Sequence, residues 1–130
     1  MSDTLVALVG TRKRVQIVID DVTALLTSLN RQTIIVAGDA SGTDAHVRRE
    51  CDRLGFRCIE CHVRKVDGEW AGDWAGPERN AMIARLAQRA VAWPLCPEDE
   101  GRSRGTWNCV GQFIQRGKPV EVRDVAWRTT

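Results

Sequence analysis

Between Val36 and His46 an apolar run breaks into Gly38-Asp39-Ala40-Ser41-Gly42-Thr43-Asp44, which sets two glycines, two carboxylates and two hydroxyls within seven residues. A surface turn needs less chemistry than this. Glycine lets a backbone approach a bound group closely, and the hydroxyls and carboxylates supply acceptors beside it. Two other stretches have a similar character. Gly10-Thr11-Arg12 follows the first apolar run, and Ser103-Arg104-Gly105-Thr106 opens the last helical pattern. A helix N-terminus carries unpaired N–H groups and partial positive charge, which suit phosphate. The three loops together predict a ligand site. Each also has a plainer use: Gly38 and Gly42 suit a tight turn, and Ser41 or Thr43 an N-cap.

Other side chains that could do chemistry are less persuasive. Cys58-Ile59-Glu60-Cys61-His62 matches the C-x-x-C-H haem-attachment pattern. The segment reads as a strand, however, which points Cys58 and Cys61 to opposite faces, and such attachment belongs to exported proteins. A structural zinc site needs four ligands, and no second C-x-x-C or H-x-x-H exists. No metal or cofactor is therefore expected. The five cysteines read as reduced thiols, mostly small core residues. Cys109 lies early in a helical pattern, where the N-terminus would lower a thiol pKa, and is a weak nucleophile candidate. His46 reads as a surface or packing residue, His62 receives no role, and no Ser-His-Asp set is visible.

Positioning these loops requires alternating strands and helices. Leu5 to Val9 and Ala90 to Trp93 are continuously apolar, as is Thr33 to Ala37 from Ile34 onward, and all three read as buried strands. Arg57 to Val63 is a more polar strand, and Pro119 to Val122 a short one. Helix spacing runs over Val15 to Leu29, Thr43 to Leu54 with Gly55 as its stop, a segment opened by Pro77, and Gly105 to Gln115. The third helix would turn Met82, Ile83, Leu86 and Ala87 inward, and the fourth Trp107, Val110, Phe113 and Ile114. Arg64 to Gly76 is a Gly/Trp-rich connector, Pro94 to Arg104 a polar loop, and the tail after Arg123 has no placement.

This alternation predicts one α/β domain over residues 1–130, with its core over about 4–123: a Rossmann-like, three-layer fold on a parallel five-stranded sheet. The most apolar strands belong in the middle, which gives the order 3-2-1-4-5. Ligands of open α/β sheets bind beyond the carboxyl ends of the strands at the switch point, here between the first and fourth strands. The three loops should meet there.

Totals set outer limits. A chain of 130 residues with 43% hydrophobic and 28% charged residues suits a globular domain. No apolar run approaches the ~20 residues of a membrane span, and Met1-Ser2-Asp3-Thr4 lacks a basic signal n-region, so a cytoplasmic protein is expected. A net charge of +2, with small basic spots at Arg12-Lys13-Arg14 and at Arg102 and Arg104, argues against a nucleic-acid partner. A sheet domain of this size suits a homo-oligomer.

The motifs resemble a known family. Gly38-Asp39-Ala40-Ser41-Gly42-Thr43-Asp44 resembles the GGARGAD loop of the SLOG superfamily in its YspA/YpsA-related branch. Trp74-Ala75-Gly76-Pro77-Glu78-Arg79-Asn80 is similar to that branch's AGPxRN motif, Ser103-Arg104-Gly105-Thr106 to its late GT phosphate loop, and Lys118-Pro119-Val120 to its last strand. The resemblance covers residues 4 to 123. It implies a Rossmann-like domain that binds a nucleotide or nucleotide-derived ligand, such as ADP-ribose or a nucleoside phosphate. The Lonely Guy phosphoribohydrolases and the DNA-processing protein A domain are relatives. Three departures matter. Asp39 stands where the loop has a second glycine, and Ser41 where it has an arginine, a lost cation for which Arg12, Arg102 or Arg104 would compensate. Cys109 stands where the phosphoribohydrolases carry their catalytic glutamate, and a neutral thiol cannot replace that carboxylate.

The expected ligand-binding set is therefore Gly10, Thr11, Arg12, Gly38, Asp39, Ala40, Ser41, Gly42, Asp44, Trp74, Arg79, Asn80, Ser103, Gly105 and Thr106. Arg79 would clamp phosphate with its planar fork, and Gly105-Thr106 and Gly10-Thr11 would cradle it. Asp39, Asp44 and their loop would hold ribose, Asn80 a base or sugar, and Trp70 and Trp74 would stack on a base. Catalytic residues are unassigned, with Arg79, Asp39 and Asp44 as candidates. Three functions are in play: nucleotide sensing or sequestration, hydrolysis of an N-glycosidic bond, and single-stranded DNA binding.

Overall fold

The structure is a computed structural model, and it describes residues 4–128. Leu5–Gly10 (β1), Ile34–Ala37 (β2), Cys58–Glu60 (β3), Arg89–Trp93 (β6) and Val120–Val122 (β7) form a five-stranded sheet. Its order is β3-β2-β1-β6-β7, and every pairing is parallel. Counting only these strands, this is the expected 3-2-1-4-5. The helices are Gln16–Ser28 (α1), Thr43–Leu54 (α2), Ala75–Leu86 (α3) and Arg104–Gln115 (α4). Together they make a Rossmann-like α/β fold. No helix of the described residues is long and apolar enough to cross a membrane.

Strand alternation divides the core into two halves. Val6 and Leu8 of β1 join Val18, Val22 and Leu26 of α1 and Val47 and Cys51 of α2 on one face. Ala7 and Val9 join Ile83 and Ala84 of α3 and Val110 and Phe113 of α4 on the other. The second half is rich in alanine (Ala7, Ala84, Ala87, Ala90, Ala92), so α3 and α4 lie close to the sheet. Cys58 packs against the first half and Cys61 belongs to the second, on opposite faces as their spacing requires. All five cysteines are free.

Several local expectations need correction. Met82 and Leu86 of α3 and Ile114 of α4 are exposed, not inward. The inner stripe of α3 is Ala75, Gly76, Arg79, Asn80, Ile83 and Ala84, because two polar site residues occupy the buried face and shift its phase. That helix starts at Ala75, two residues before Pro77, whose missing N–H still falls in a first turn that needs none. β3 ends at Glu60, short of Val63, because the Val63 N–H donates to Asp39 Oδ2 at 3.0 Å and the chain turns away from the sheet.

The connector after β3 holds a hairpin, Lys65–Val66 (β4) against Glu69–Trp70 (β5). Its turn is Asp67-Gly68, both with positive φ (52° and 82°), the backbone that an Asp-Gly pair favours. Part of the tail is also placed. Arg123 pairs with Asp21 at 3.0 Å, and Val125 and Ala126 pack against the first core half. Residues 129 and 130 of that tail lie outside the described residues.

Candidate functional site

Loops after β1, β2 and β6 meet at the carboxyl edge of the sheet, and their contacts explain the glycines. The Thr11 N–H donates to Trp93 O at 2.9 Å, which joins the first and third loops. The Thr43 N–H donates to Thr11 O at 3.0 Å, and Ser41 Oγ to Arg12 O at 3.0 Å, which joins the first and second. Gly42 sits at φ 71°, ψ −121°, a region that side chains avoid, and a Cβ there would strike the Arg12 carbonyl. Gly10 leaves room for the Thr43 side chain, 2.6 Å from where a Cβ would stand. Arg48, one turn beyond Asp44, donates Nη1 to Gly38 O at 2.7 Å and to Ala40 O at 3.3 Å, and so holds the second loop from behind.

A cleft of about 530 Å³ opens between the loops. Gly10 to Lys13 form one wall, Gly101 to Thr106 with Leu95 another, and Ala40, Asp44 and Arg79 complete the lining. Five cations and one acid line it, Arg12, Lys13, Arg79, Arg102 and Arg104 with Asp44; of the cations, Arg79 is paired with Asp39 and Arg102 with Glu100, each at 2.8 Å. The α4 helix points its first turn here, and no side chain among the described residues caps it. Ser103, at φ 58°, instead accepts the Leu95 N–H on its hydroxyl at 2.6 Å. The N–H groups of the first turn therefore have no side-chain acceptor, which is the condition for holding an anion.

Nine of the expected residues line this cleft: Gly10, Thr11, Arg12, Ala40, Asp44, Arg79, Ser103, Gly105 and Thr106. Asp39 and Ser41 line a smaller cavity beside it. Gly38 and Gly42 lie behind the loop, where they admit Asp44 and the Arg12 backbone. Trp74 lines neither cavity and carries the Arg64 guanidinium 5.3 Å from its ring centroid. Lys13, Leu95 and Gly101 were not expected. The basic run Arg12-Lys13-Arg14 was the one sequence signal for Lys13. Arg48 carried no signal beyond its place one turn after Asp44.

Some expected ligand contacts are instead contacts within the protein. Asp39 Oδ1 accepts from Arg79 Nη1 at 2.8 Å, and Oδ2 accepts from the Val63 N–H. Burial raises the Asp39 pKa, but hydrogen bonds from Arg79 and Val63 and the Arg79 charge outweigh it and leave the carboxyl below its ordinary value. Asn80 donates Nδ2 to Gly105 O and to Asn108 Oδ1, both at 3.0 Å, and so fastens α3 to the start of α4. Asp39 and Asn80 thus position the residues that face the cleft.

Asp44 is different. The residue is 5% exposed, and its Oδ2 accepts one long bond from the Ala40 N–H at 3.2 Å. Among the described residues three buried side-chain atoms make no hydrogen bond: Asp44 Oδ1, Thr43 Oγ1 and Arg79 Nε. Asp44 and Arg79 line the cleft, and Thr43 lies behind it against Gly10. Burial pushes the Asp44 pKa up to about 6, against the charges of Arg79 and Arg48 and the Ala40 N–H. Cys109, in the second turn of α4, is 2% exposed, and burial followed by the Asp44 charge drives its thiol up to about 12. The expected lowering of its pKa is therefore reversed, because the thiol faces the core and not the helix end. No cluster of three or more His, Cys, Asp or Glu among the described residues is placed to hold a metal ion.

No protein-family description matches the sequence, and no curated protein does. Among solved structures, DNA processing protein A (DprA) from Streptococcus pneumoniae is similar to the chain with a TM-score of 0.78 and 18% identity over 92% of its residues. The chain spans about half, 50%, of that protein. The likeness is one of fold.

Proposed function

We propose that the cleft binds a nucleotide or nucleotide-derived ligand by its phosphate, and that the chain is a SLOG-type sensing or sequestering domain. One observation carries the proposal: an uncapped α4 N-terminus opens into a cleft lined by five cations and one acid. Phosphate sits at Gly105-Thr106 and Gly10-Thr11, within reach of Arg12, Lys13, Arg102 and Arg104. Arg79, oriented by Asp39, and Asp44 lie beneath the sugar. A cleft of about 530 Å³ is within the range of small-molecule sites. The experiment is a thermal-shift panel of nucleoside mono- and diphosphates, ADP-ribose, NAD and cyclic nucleotides, with a DNA oligonucleotide alongside. A ligand at 100 times its Kd adds ~2.7 kcal/mol, which moves Tm by several degrees. A flat panel at millimolar ligand would remove the proposal. A shift with the oligonucleotide alone, steeply weakened by salt, would favour the DNA reading that the structural neighbour's name raises.

Asp44 favours one second reading, hydrolysis of an N-glycosidic bond. A carboxyl with a pKa of about 6 in a phosphate cleft is placed in the range useful for general acid–base chemistry. Free base released from a nucleoside monophosphate, and lost in Asp44→Asn, is the expected sign of that activity. Intact nucleotide after prolonged incubation would exclude it for the compounds used.

A further inference from the structure

The smaller cavity, about 170 Å³, shares Arg12, Ala40 and Arg79 with the main cleft, so the two adjoin. Its outer wall is the β4–β5 hairpin, which contributes Lys65 and Trp70. Trp70 is 42% exposed, a large apolar ring left open at a cavity mouth. Its position is nonetheless defined. The indole rests on α3, where a Cβ on Gly76 would stand 3.3 Å from Cζ3. The Arg12 guanidinium lies 5.0 Å from its ring centroid. The tight Asp67-Gly68 turn fixes the hairpin that carries it. The cavity thus pairs a planar aromatic surface and a planar cation with polar groups of Ser41 and Asp39 at its inner end.

We infer that this cavity is a base subsite: it takes the purine or pyrimidine ring of the ligand, stacked on the layer that the Arg12 guanidinium and the Trp70 indole form together. The inference rests on the phosphate reading above and adds the ligand's orientation to it. Phosphate lies at α4, sugar over Arg79, and base at the hairpin. Arg12 lines both cavities and contacts both ends. Aromatic stacking tolerates every base because each has a π-face, so the subsite favours nucleotides over bare sugar phosphates more than one base over another. Trp74 lines neither cavity and takes no part.

Calorimetric titration of the intact protein with inorganic phosphate, ribose 5-phosphate and the four ribonucleoside monophosphates tests this. The best nucleotide should bind about tenfold or more tighter than ribose 5-phosphate, the increment expected of one stacked base. Trp70→Ala should bring nucleotides down to the ribose 5-phosphate level and leave ribose 5-phosphate within about twofold. Trp70→Phe should keep most of the preference, and Trp74→Ala all of it, with unchanged melting curves as the check on folding. Equal affinities for nucleotides and ribose 5-phosphate in the unaltered protein would overturn the base subsite and leave the phosphate reading intact. Proportionate loss of both in Trp70→Ala would also overturn it, since the ring would then be structural. Failure of every phosphate compound to bind would remove both proposals.

Discussion

Arg79 Nη1 donates to Asp39 Oδ1 at 2.8 Å across 40 residues of chain, and this pair ties α3 to the loop after β2. The Arg79 side chain is 6% exposed and that of Asp39 15%. The carboxylate offsets the cost of placing so deeply buried a guanidinium out of water. The pair has a consequence for the ligand site. Seen from the cleft the pair is close to neutral, so on the phosphate reading Asp39 does not repel the ligand and Arg79 offers N–H donors from a defined position more than a net charge.

Removing one member of the pair should cost more than its exposure suggests. Asp39→Ala leaves Arg79 buried without its partner, and a loss of about 3–5 kcal/mol at pH 7 is expected in urea denaturation. Asp39→Asn, which can still accept a hydrogen bond, should lose less. The folded pKa of Asp39 is depressed, so its stabilisation is present above the ordinary value of 3.8 and is lost as pH falls below it. A cost under about 1 kcal/mol for Asp39→Ala would show that water replaces the carboxylate.

Asp44 works with the opposite sign. Its folded pKa of about 6 lies above the ordinary 3.8, so between these values the folded protein holds a proton that the unfolded chain has released. Stability from this group therefore falls as pH rises through that window, by roughly 3 kcal/mol in all. Asp44→Asn should stabilise the protein at pH 7 and flatten the change between pH 4 and 7. His46, held below its usual 6.5 by burial, opposes the trend in the upper part of the window. The readout is accordingly the difference between the two proteins in melting experiments across pH. A destabilised Asp44→Asn at pH 7 would mean the charged form is structurally required.

Gly42→Ala places a Cβ against the Arg12 carbonyl in a backbone region reserved for glycine. A loss of about 1–3 kcal/mol is expected from backbone strain alone, with weaker ligand binding because the first and second loops separate. Stability within about 0.5 kcal/mol of the parent would show that the loops rearrange freely.

Thiol reactivity should follow burial and charge. Cys51, Cys61, Cys96 and Cys109 are buried, whereas Cys58 is half-buried on an edge strand. The Cys58 pKa is lowered, chiefly by a hydrogen bond from Cys51 and against its burial. Iodoacetamide at pH 8 should therefore modify Cys58 first and leave Cys109 intact until the protein unfolds. Early labelling of Cys109, read by peptide mass spectrometry, would contradict its placement in the core.

The sheet order was legible because strand burial leaves a plain mark in composition: Leu5 to Val9 and Ala90 to Trp93 contain no charge, and such runs belong in the middle of a parallel sheet. The three loops were legible because glycine and hydroxyl residues gather where the backbones of neighbouring loops approach closely. The phase of α3 was not, because Arg79 and Asn80 sit on its buried face, and their partners, Asp39, Gly105 and Asn108, are distant in sequence. A side chain's periodicity cannot show whether its charge is met by solvent or by another loop. The hairpin was readable in principle from Asp67-Gly68, but Glu69 and Lys65 beside it broke the apolar alternation that usually marks strands.

The measurement that bears most directly on the cleft is calorimetric titration of the parent protein and Gly105→Asp with the best-binding nucleoside monophosphate. A Cβ on Gly105 meets nothing within 4 Å, so the fold admits the change. An acid in the first turn of α4 also suits the helix dipole, and replacing glycine favours the helix, so Tm should hold or rise. The carboxylate would occupy the electrostatic place of the phosphate. The expected result is tight binding by the parent and a loss of at least about tenfold in Gly105→Asp; equal affinity in the two proteins would contradict phosphate binding at the start of α4.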